Sequence, residues 1–479
     1  MSSLLPSRRV PVWLAIVAAS LPMFMATLDN LVVTSALPVI HDDLGASVED
    51  LQWITNAYTL SFAALMLLAV GLGDRFGRRH LFTAGIGIFT IASALCAVSG
   101  DPTALIAARA LEGAGAAAVM PLSLTLLVGS VPDRFRSLAI GVWSGVSGLG
   151  VALGPLIGGA VVEGWNWQAI FWLNVPVGVV AIPLALLALP NTLGARLRAD
   201  VPGVLLAGAG VLGLVFGIVR GNDAGWDSVQ VIGALAVGAV MLVGFVIRES
   251  RTSAPLLPLR LFRDRSFTLA NVVAMTFSFG AFGAVFILIQ FLQVVQGKTP
   301  LEAGVATMPW TLAPMVIAPL TGLVAPRIGT RALIVAGMVS LSAGLFEIAL
   351  TMSADVSYRT MLPGFVLAGV GMGLAFAPIS TAVLSRMAPD DHAKASGTNS
   401  TLREIGVALG IAVLTAVFTG AGGQLTPTGY VDAAVPAVLV GASVVLFAAV
   451  AALFLPAGRA TRTVPDAELE AAPALVPTR

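Results

Sequence analysis

Gly71-Leu-Gly-Asp-Arg-Phe-Gly-Arg-Arg79 returns later in the chain as Val324-Ala-Pro-Arg-Ile-Gly-Thr-Arg331, with Arg75, Gly77 and Arg79 falling on Arg327, Gly329 and Arg331 at an offset of 252 residues. Two further matches follow at nearly the same spacing. Pro121-x-Ser123 and Pro132-Asp133 recur as Pro378-x-Ser380 and Pro389-Asp390 at an offset of 257, and Gly150-Val-Ala-Leu-Gly154 recurs as Gly406-Val-Ala-Leu-Gly410 at 256. One such match arises by chance in a chain rich in Ala, Gly and Leu. Three in order do not, and the chain reads as a duplication.

Hydropathy identifies the duplicated unit. The 479 residues are 57% hydrophobic and 11% charged, with a mean hydropathy of +0.94, whereas a soluble domain carries about 25% charged residues. A soluble globule, a disordered chain and a nucleic-acid binder are excluded. Fourteen apolar runs are long enough to cross a hydrocarbon core of about 30 Å: 12–39, 50–72, 80–99, 103–128, 137–162, 168–189, 200–219, 229–247, 267–295, 302–324, 331–351, 360–384, 396–419 and 434–455. They are too long, and too uniformly apolar, for barrel strands. The first, after Arg8 and Arg9, lacks a cleavage site and reads as an uncleaved span rather than a signal peptide.

Charge placement tests the count. With the N-terminus inside, 21 of the 26 basic residues fall in inside connections or termini, among them Arg196 and Arg198. Three (Arg220, Lys298, Arg359) fall outside, and Arg109 and Arg403 lie within spans. This is the positive-inside bias, and a miscounted span would invert every later loop. The expectation is a multi-pass protein of the bilayer with both termini cytoplasmic. A six-helix bundle occupies 10–190, two inserted helices and a linker 191–266, and a second six-helix bundle 267–456. The acidic, Ala/Pro-rich tail 457–479 reads as disordered. Because six is even, the two bundles share one orientation and are related by a pseudo-twofold along the membrane normal. Twin bundles meeting at a midplane cleft are a transporter's architecture.

Ionisable residues inside spans carry the chemistry. They are Asp29, Arg109, Glu112, Glu347, Arg403 and Glu404, and a lipid-facing charge at that depth costs at least about 2.5–3.5 kcal/mol. Each either orders the bundle as half of an inter-helix pair or serves protons and substrate. Four acids against two arginines suit a site that holds protons and attracts cations. Arg109 and Glu112, three apart, share a helix face. Glu347, near the end of its span, ranks last. Asp74 among Arg75, Arg78 and Arg79, in a turn containing Gly77, reads as a topology signal with the added content of a charge latch. Seven glycines between Gly141 and Gly159 allow close helix approach, and Pro155 among them reads as a hinge.

Other features have bland readings. Gly208-x-Gly-x-x-Gly213 lies in an apolar span without a preceding strand, and is packing. No Walker, HExxH or GxSxG sequence is present, which removes support for ATP-driven transport by this chain alone and for the common hydrolase chemistries. The only cysteine is Cys96, and the three histidines lie between spans, so neither a disulfide nor a metal site is expected. Trp165, Trp167 and Trp172 read as an interfacial belt. Tyr58, Trp143 and Trp310 lie deeper, and either pack the core or stack on a flat or cationic ligand.

These residues resemble those of the major facilitator superfamily, in its fourteen-helix drug:proton antiporter group (QacA/EmrB-like), over residues 10 to 456. Leu28-Asp-Asn-Leu-Val-Val-Thr-Ser-Ala-Leu-Pro38 resembles the first-span Asp motif. Leu72-Gly-Asp-Arg-Phe-Gly-Arg-Arg79 resembles the inner-loop gating motif. Arg109-Ala-Leu-Glu-Gly-Ala-Gly115 is similar to the fourth-span motif implicated in proton transfer, with Glu112 where Gln is common. Gly150-Val-Ala-Leu-Gly-Pro-Leu-Ile-Gly-Gly159 is similar to the fifth-span antiporter motif of exporters, and Arg403-Glu404 to a polar pair in span 13.

The resemblance implies an all-α major facilitator fold and a proton-coupled exporter, not an enzyme. It would work by alternating access in a bacterial plasma membrane as a monomer, using the proton motive force and no cofactor. Its cargo would be amphipathic, cationic small molecules. Asp29 and Glu404, one from each bundle, would line a wet crevice and take protons and cations, while Arg109 with Glu112, and Arg403, tune them. Asp74, Arg75, Gly77, Arg78 and Arg79 would latch the gate. Gly150, Gly154, Pro155, Gly158 and Gly159 would form the bend. Two alternatives stand beside this: export of a neutral or anionic metabolite such as a self-made antibiotic, and, remotely, a non-transporting scaffold or receptor.

Overall fold

The structure, a computed structural model, describes residues 11–193, 200–252, 255–387 and 391–456. Arg8, Arg9, Arg196, Arg198, Pro389, Asp390 and the tail 457–479 lie outside the described residues. Among the described residues there are helices and no strands. The first bundle is α1 (Val12–Leu44), α2 (Val48–Phe76), α3 (Arg78–Ala97), α4 (Pro102–Ser130), α5 (Asp133–Gly164) and a sixth span made of α6 (Ala169–Trp172) and α7 (Asn174–Ala188). A hairpin of α8 (Val201–Ala224) and α9 (Val229–Arg251) follows, then a short 3-10 turn, Leu259–Arg263. The second bundle is α10 (Arg265–Val294), α11 (Pro300–Ile328), α12 (Thr330–Thr351), α13 (Tyr358–Leu384), α14 (His392–Gly420) and α15 (Pro427–Leu453).

Thirteen of these spans pass as single helices by length and hydropathy. The fourteenth is α2, bent by 49° between Val48–Met66 and Leu68–Phe76. α5 runs as one helix from Asp133 to Gly164 with Pro155 inside it.

The duplication is written in the backbone. α2 and α11 are both 29 residues long and both open with a capping box, Ser47 with Asp50 and Thr299 with Glu302, which satisfies amides the first turn leaves unpaired. Both end at a glycine with positive φ, Gly77 at 108° and Gly329 at 89°. Each donates its N–H back to the helix, to the carbonyls of Gly73 and Ala325, at 2.9 Å. A side chain at either position would be strained. The helix pairs repeat as well. Gly150 and Gly154 let α5 rest on Thr27 and Leu31 of α1, as Gly406 and Gly410 let α14 rest on the Met275 and Phe279 carbonyls of α10.

The turns at Gly77 and Gly329 mark one end of the molecule, the basic end, which also holds Arg75, Arg78, Arg79 and Arg260. The opposite end holds the turns at Gly45 and Gly297. Here the two bundles close on each other along two seams. In the first, Gly159 of α5 sits against Pro300 of α11, and Gly304 against the Pro155 carbonyl, so that a Cβ at either glycine would collide with backbone. Glu163 Oε2 accepts from the Leu301 amide at 3.2 Å across this seam, and Gln293 Nε2 donates to the Ser35 carbonyl at 3.0 Å nearby. In the second, Leu60 of α2 meets Ala408 and Ala412 of α14, and α8 lies over both through Val211, Val215 and Val219. Toward the basic end, α5 instead exposes Leu138, Ile140 and Val142, and α11 exposes Val316, Leu320 and Leu323. Gly141, Gly145 and Gly148 there have nothing within 4 Å of an added Cβ. The molecule is sealed at one end and open at the basic end.

α9 packs on α8 and turns Val229, Val237, Val240 and Val243 outward, as a lipid-facing helix does. Trp165 and Trp172 are exposed, as a belt requires. Trp167 departs from that expectation: it is buried, and its Nε1 donates to Asp43 Oδ2 at 2.6 Å. An indole keeps its hydrogen bonded when it is taken out of water.

Candidate functional site

The centre of the first bundle holds a closed cluster of charges. α4 supplies Arg109 and, one turn on, Glu112. Arg109 Nη1 donates to Glu112 Oε2 at 2.6 Å and to Asp29 Oδ2 of α1 at 2.5 Å, so a single nitrogen serves two carboxylates. Arg109 Nε donates to the Ile54 carbonyl of α2 at 3.3 Å. The guanidinium lies over the Tyr58 ring at 4.3 Å, and the Tyr58 hydroxyl donates to the Ala26 carbonyl at 3.1 Å. Gly113 makes this possible: an added Cβ would strike the Tyr58 carbonyl and hold α4 away from α2. Asp29, Arg109 and Glu112 are at most 2% exposed.

Two residues of the cluster have no counterpart in the sequence reading. Asn174 Nδ2, at the start of α7, donates to Asp29 Oδ1 at 2.8 Å and to Ser93 Oγ of α3 at 3.0 Å. Ser93 in turn donates to the Phe171 carbonyl at 3.0 Å. Cys96 Sγ approaches Glu112 Oε2 at 3.5 Å, and Glu112 Oε1 has no hydrogen-bond partner. Asn174 lies inside the apolar run 168–189, where hydropathy alone does not single out an uncharged amide.

The expectation that Asp29 lines a wet crevice is corrected in this conformation, because Asp29 is buried and Arg109 and Asn174 occupy both its oxygens. Glu404 of α14 is placed differently. It is half-buried, and Oε2 has no partner. Ala408 and Ala412, one and two turns further along the same face, pack against α2 at the second seam, so Glu404 faces that seam. Its neighbour Arg403 stacks on Phe376 of α13 at 4.2 Å and stays within electrostatic range of Glu404. Glu404 lies within electrostatic range of Tyr58. Two of the four in-span acids therefore share one cluster, and Glu404 stands apart on the other bundle. Glu347, near the end of α12, sits beside Gly364.

The gating residues make their contacts with each other and with the end of α7. Asp74 pairs with Arg78 at 2.6 Å. Arg79 Nη1 donates to the Leu186 and Leu189 carbonyls at 3.1 and 3.2 Å, filling acceptors left open at the end of α7. Arg75 lies over the Phe76 ring. The Gly77 turn fits against Asn191, leaving no room for a Cβ. Gly150, Gly154 and Gly158 seat α5 on α1, while Gly159 faces α11. The Pro155 carbonyl accepts from Ser35 Oγ at 3.2 Å.

Of the aromatic candidates, Tyr58 belongs to the charge cluster. Trp143 Nε1 donates to Ser123 Oγ at 3.1 Å. Trp310 is buried edge-on against Phe365 and borders a small apolar cavity between the bundles, which Leu31, Val151 and Pro155 line from one side and Phe282 and Met372 from the other. Among the described residues no cluster of His, Cys, Asp and Glu is arranged to hold a metal.

Comparison with known proteins accords with this architecture. The model of the Major Facilitator Superfamily matches residues 19–411 and 273–477. The chain is 34% identical over 428 residues to the tetracenomycin C resistance and export protein of Streptomyces glaucescens, covering 89% of this chain and 79% of that protein. It is 36% identical over 406 residues to the multidrug resistance protein Stp of Mycobacterium tuberculosis (84% and 75%). It is 34% identical over 417 residues to the methylenomycin A resistance protein of Streptomyces coelicolor (85% and 86%). In fold it is similar to the partially occluded inward-open xylose transporter XylE of E. coli, with a TM-score of 0.62 at 12% identity, covering 92% of this chain and 96% of that one. Twin six-helix bundles, an inserted helix pair and a match along most of the chain carry one conclusion: the protein is a multi-pass membrane transporter that belongs to the Major Facilitator Superfamily.

Proposed function

We propose that this chain is a proton-coupled exporter that moves amphipathic, cationic small molecules out of the cell by alternating access. The observation that carries the reading is the Asp29–Arg109–Glu112 cluster. Two carboxylates share one guanidinium nitrogen in a dry site, so the cluster is one positive charge short of neutral. An isolated buried charge is expensive, and one bound proton removes the deficit. Opening the site to water on either side lets that proton exchange. Each proton entering down a membrane potential supplies about 2.3 kcal/mol per 100 mV, with the pH gradient added.

The bias of basic residues supports placing the basic end in the cytoplasm, with both termini there and the open side facing the cell interior. The two bundles would then divide the work. The first, 10–190, holds the proton, and the second, 267–456, presents Glu404 to cationic cargo at the seam. Asp74 and Arg78, paired within the first bundle here, are free to exchange partners when the basic end closes.

Asp29→Asn tests the reading in proteoliposomes. With a neutral residue at 29, Arg109 balances Glu112 and no proton is required. Gradient-driven export is expected to vanish while gradient-independent substrate exchange persists. Export that still follows the pH gradient in that variant overturns the proposal.

A second reading, export of a neutral or anionic metabolite, draws on the apolar lining of the cavity beside Trp310 and on relatives named for tetracenomycin C and methylenomycin A. Glu404→Gln separates the two. Loss of cationic but not neutral substrates supports the first, and equal retention of both supports the second.

A further inference from the structure

The two acids that share Arg109 have unlike surroundings. Asp29 accepts an N–H on each oxygen, from Arg109 at 2.5 Å and from Asn174 at 2.8 Å. Asn174 cannot turn its amide over without setting its own oxygen against the carboxylate. Its second hydrogen is held by Ser93 Oγ, whose hydroxyl reaches the Phe171 carbonyl at 3.0 Å and also lies beside Glu112. Glu112 shares the Arg109 nitrogen at 2.6 Å and has the weakly polar Cys96 thiol and Ser93 beside it, but its second oxygen is buried with no hydrogen bond of ordinary geometry. Donors on both oxygens favour the ionised form of a carboxyl group. A bare buried oxygen penalises the ionised form far more than the neutral acid.

The groups facing the cluster leave the asymmetry in place. α2 contributes Tyr58, whose hydroxyl hydrogen goes to Ala26, and α3 contributes Cys96. α6 and α7 carry no titratable side chain, and those of α5 lie only at its two ends. α14 contributes Glu404, which reaches Tyr58 electrostatically.

We infer that Asn174 is a positioning residue that holds Asp29 as the carboxylate paired with Arg109, leaving Glu112 as the acid that carries the exchangeable proton. The inference rests on the proton-coupled reading, and it assigns the two acids separate roles: Asp29 keeps Arg109 in place, and Glu112 loads and unloads.

Infrared difference spectra of the purified full chain, titrated with pH, test the assignment without any transport step. The stretch of a buried protonated carboxyl should move when glutamate carries carbon-13 in its side-chain carboxyl. It should stay when aspartate is labelled instead, and that component should be absent from Glu112→Gln. A component that moves with labelled aspartate overturns the assignment. Asn174→Ala should transfer part of the band to the aspartate label. In proteoliposomes it should raise the pH of half-maximal gradient-driven export by about one unit, tenfold in proton concentration. Asn174→Leu, of similar volume and without a donor, should act in the same direction, and it serves if Asn174→Ala does not fold. A merely structural role would lower transport without moving the midpoint, and an unmoved midpoint in the folded variants overturns the positioning role. If the wild type ignores a pH gradient, the coupled reading falls while the infrared assignment stands or falls on its own.

Discussion

The α5–α11 seam and the α2–α14 seam occupy equivalent places in the duplicated fold, yet they are closed with different materials. In the first, Gly159 and Gly304 let two backbones touch, and Pro155 and Pro300 supply the carbonyls they touch. The corresponding positions of the second seam are Thr415 for Gly159, Ile411 for Pro155 and Gln52 for Gly304. Side chains keep those helices apart, and α8 covers the joint. Asn222 of α8 donates to the Ala416 carbonyl at 2.6 Å and to Thr419 Oγ1 at 2.7 Å, both on α14. Arg220, two residues earlier, donates to Glu49 of α2 at 3.3 Å. One inserted helix thus holds both bundles at the sealed end. Duplication decides which helices meet, and the residues at the contact decide how closely. The seam without glycines has gained an outside brace.

The largest expected effect comes from breaking the first seam. Gly159→Leu places a branched side chain against the Pro300 carbonyl, where even a Cβ does not fit. Overpacking typically costs about 1–3 kcal/mol, and here the cost is relieved by separating the bundles at the sealed end. The variant should insert normally but lose export at least tenfold. Distances between spin labels on Glu163 and Glu302, at opposite sides of the seam, should lengthen. An unchanged distance with normal export would show that the close backbone approach does not hold the seal.

A smaller effect is expected from the second seam. Asn222→Ala removes two hydrogen bonds to α14 and leaves the apolar contacts of Val215 and Val219 in place. Net contributions toward the low end of about 0.5–1.5 kcal/mol per bond, about 1–1.4 kcal/mol for the two together, predict a shift of about five- to tenfold toward the state open at the other end. Labels on Glu49 and Thr426 should report it. If this variant perturbs the equilibrium more than Gly159→Leu, the ranking of the two seams is reversed.

Much of this comparison was legible in the sequence. The offset repeats marked which helices correspond, and the balance of basic residues counted the spans. Gly77 and Gly329 align through their neighbours in sequence, and they share a positive-φ backbone conformation. The site was legible in part. The cost of burying charge required Asp29, Arg109 and Glu112 to find partners, and the spacing of three brought Arg109 to Glu112. Nothing local links Asp29 to Arg109, because that contact depends on how α1 packs on α4 across 80 residues. Asn174 was hidden because an uncharged amide raises no alarm on a hydropathy scale, and its importance comes from α7 approaching α1. The bend in α2 was equally hidden, with no proline within the helix to mark it. Spans 7 and 8 read as an inserted hairpin whose role the sequence leaves open, because the bracing residues Arg220 and Asn222 lie at a helix end, where polar side chains are ordinary.

The smallest effect sharpens the comparison most finely. Arg220 and Glu49 form an ion pair at the sealed end with the Arg220 side chain 39% exposed. Such pairs contribute about 0–1 kcal/mol and are screened by salt. Arg220→Gln should therefore shift the conformational equilibrium by less than about fivefold, and the difference from the wild type should fade as ionic strength rises. Asn222→Ala should show no such dependence, since its bonds are between neutral groups. If both variants respond to salt alike, α8 acts on the seam through bulk charge rather than through two separate contacts. If only Arg220→Gln does, the brace has one screened attachment to α2 and one unscreened attachment to α14. The α2 side would then release first when the sealed end opens.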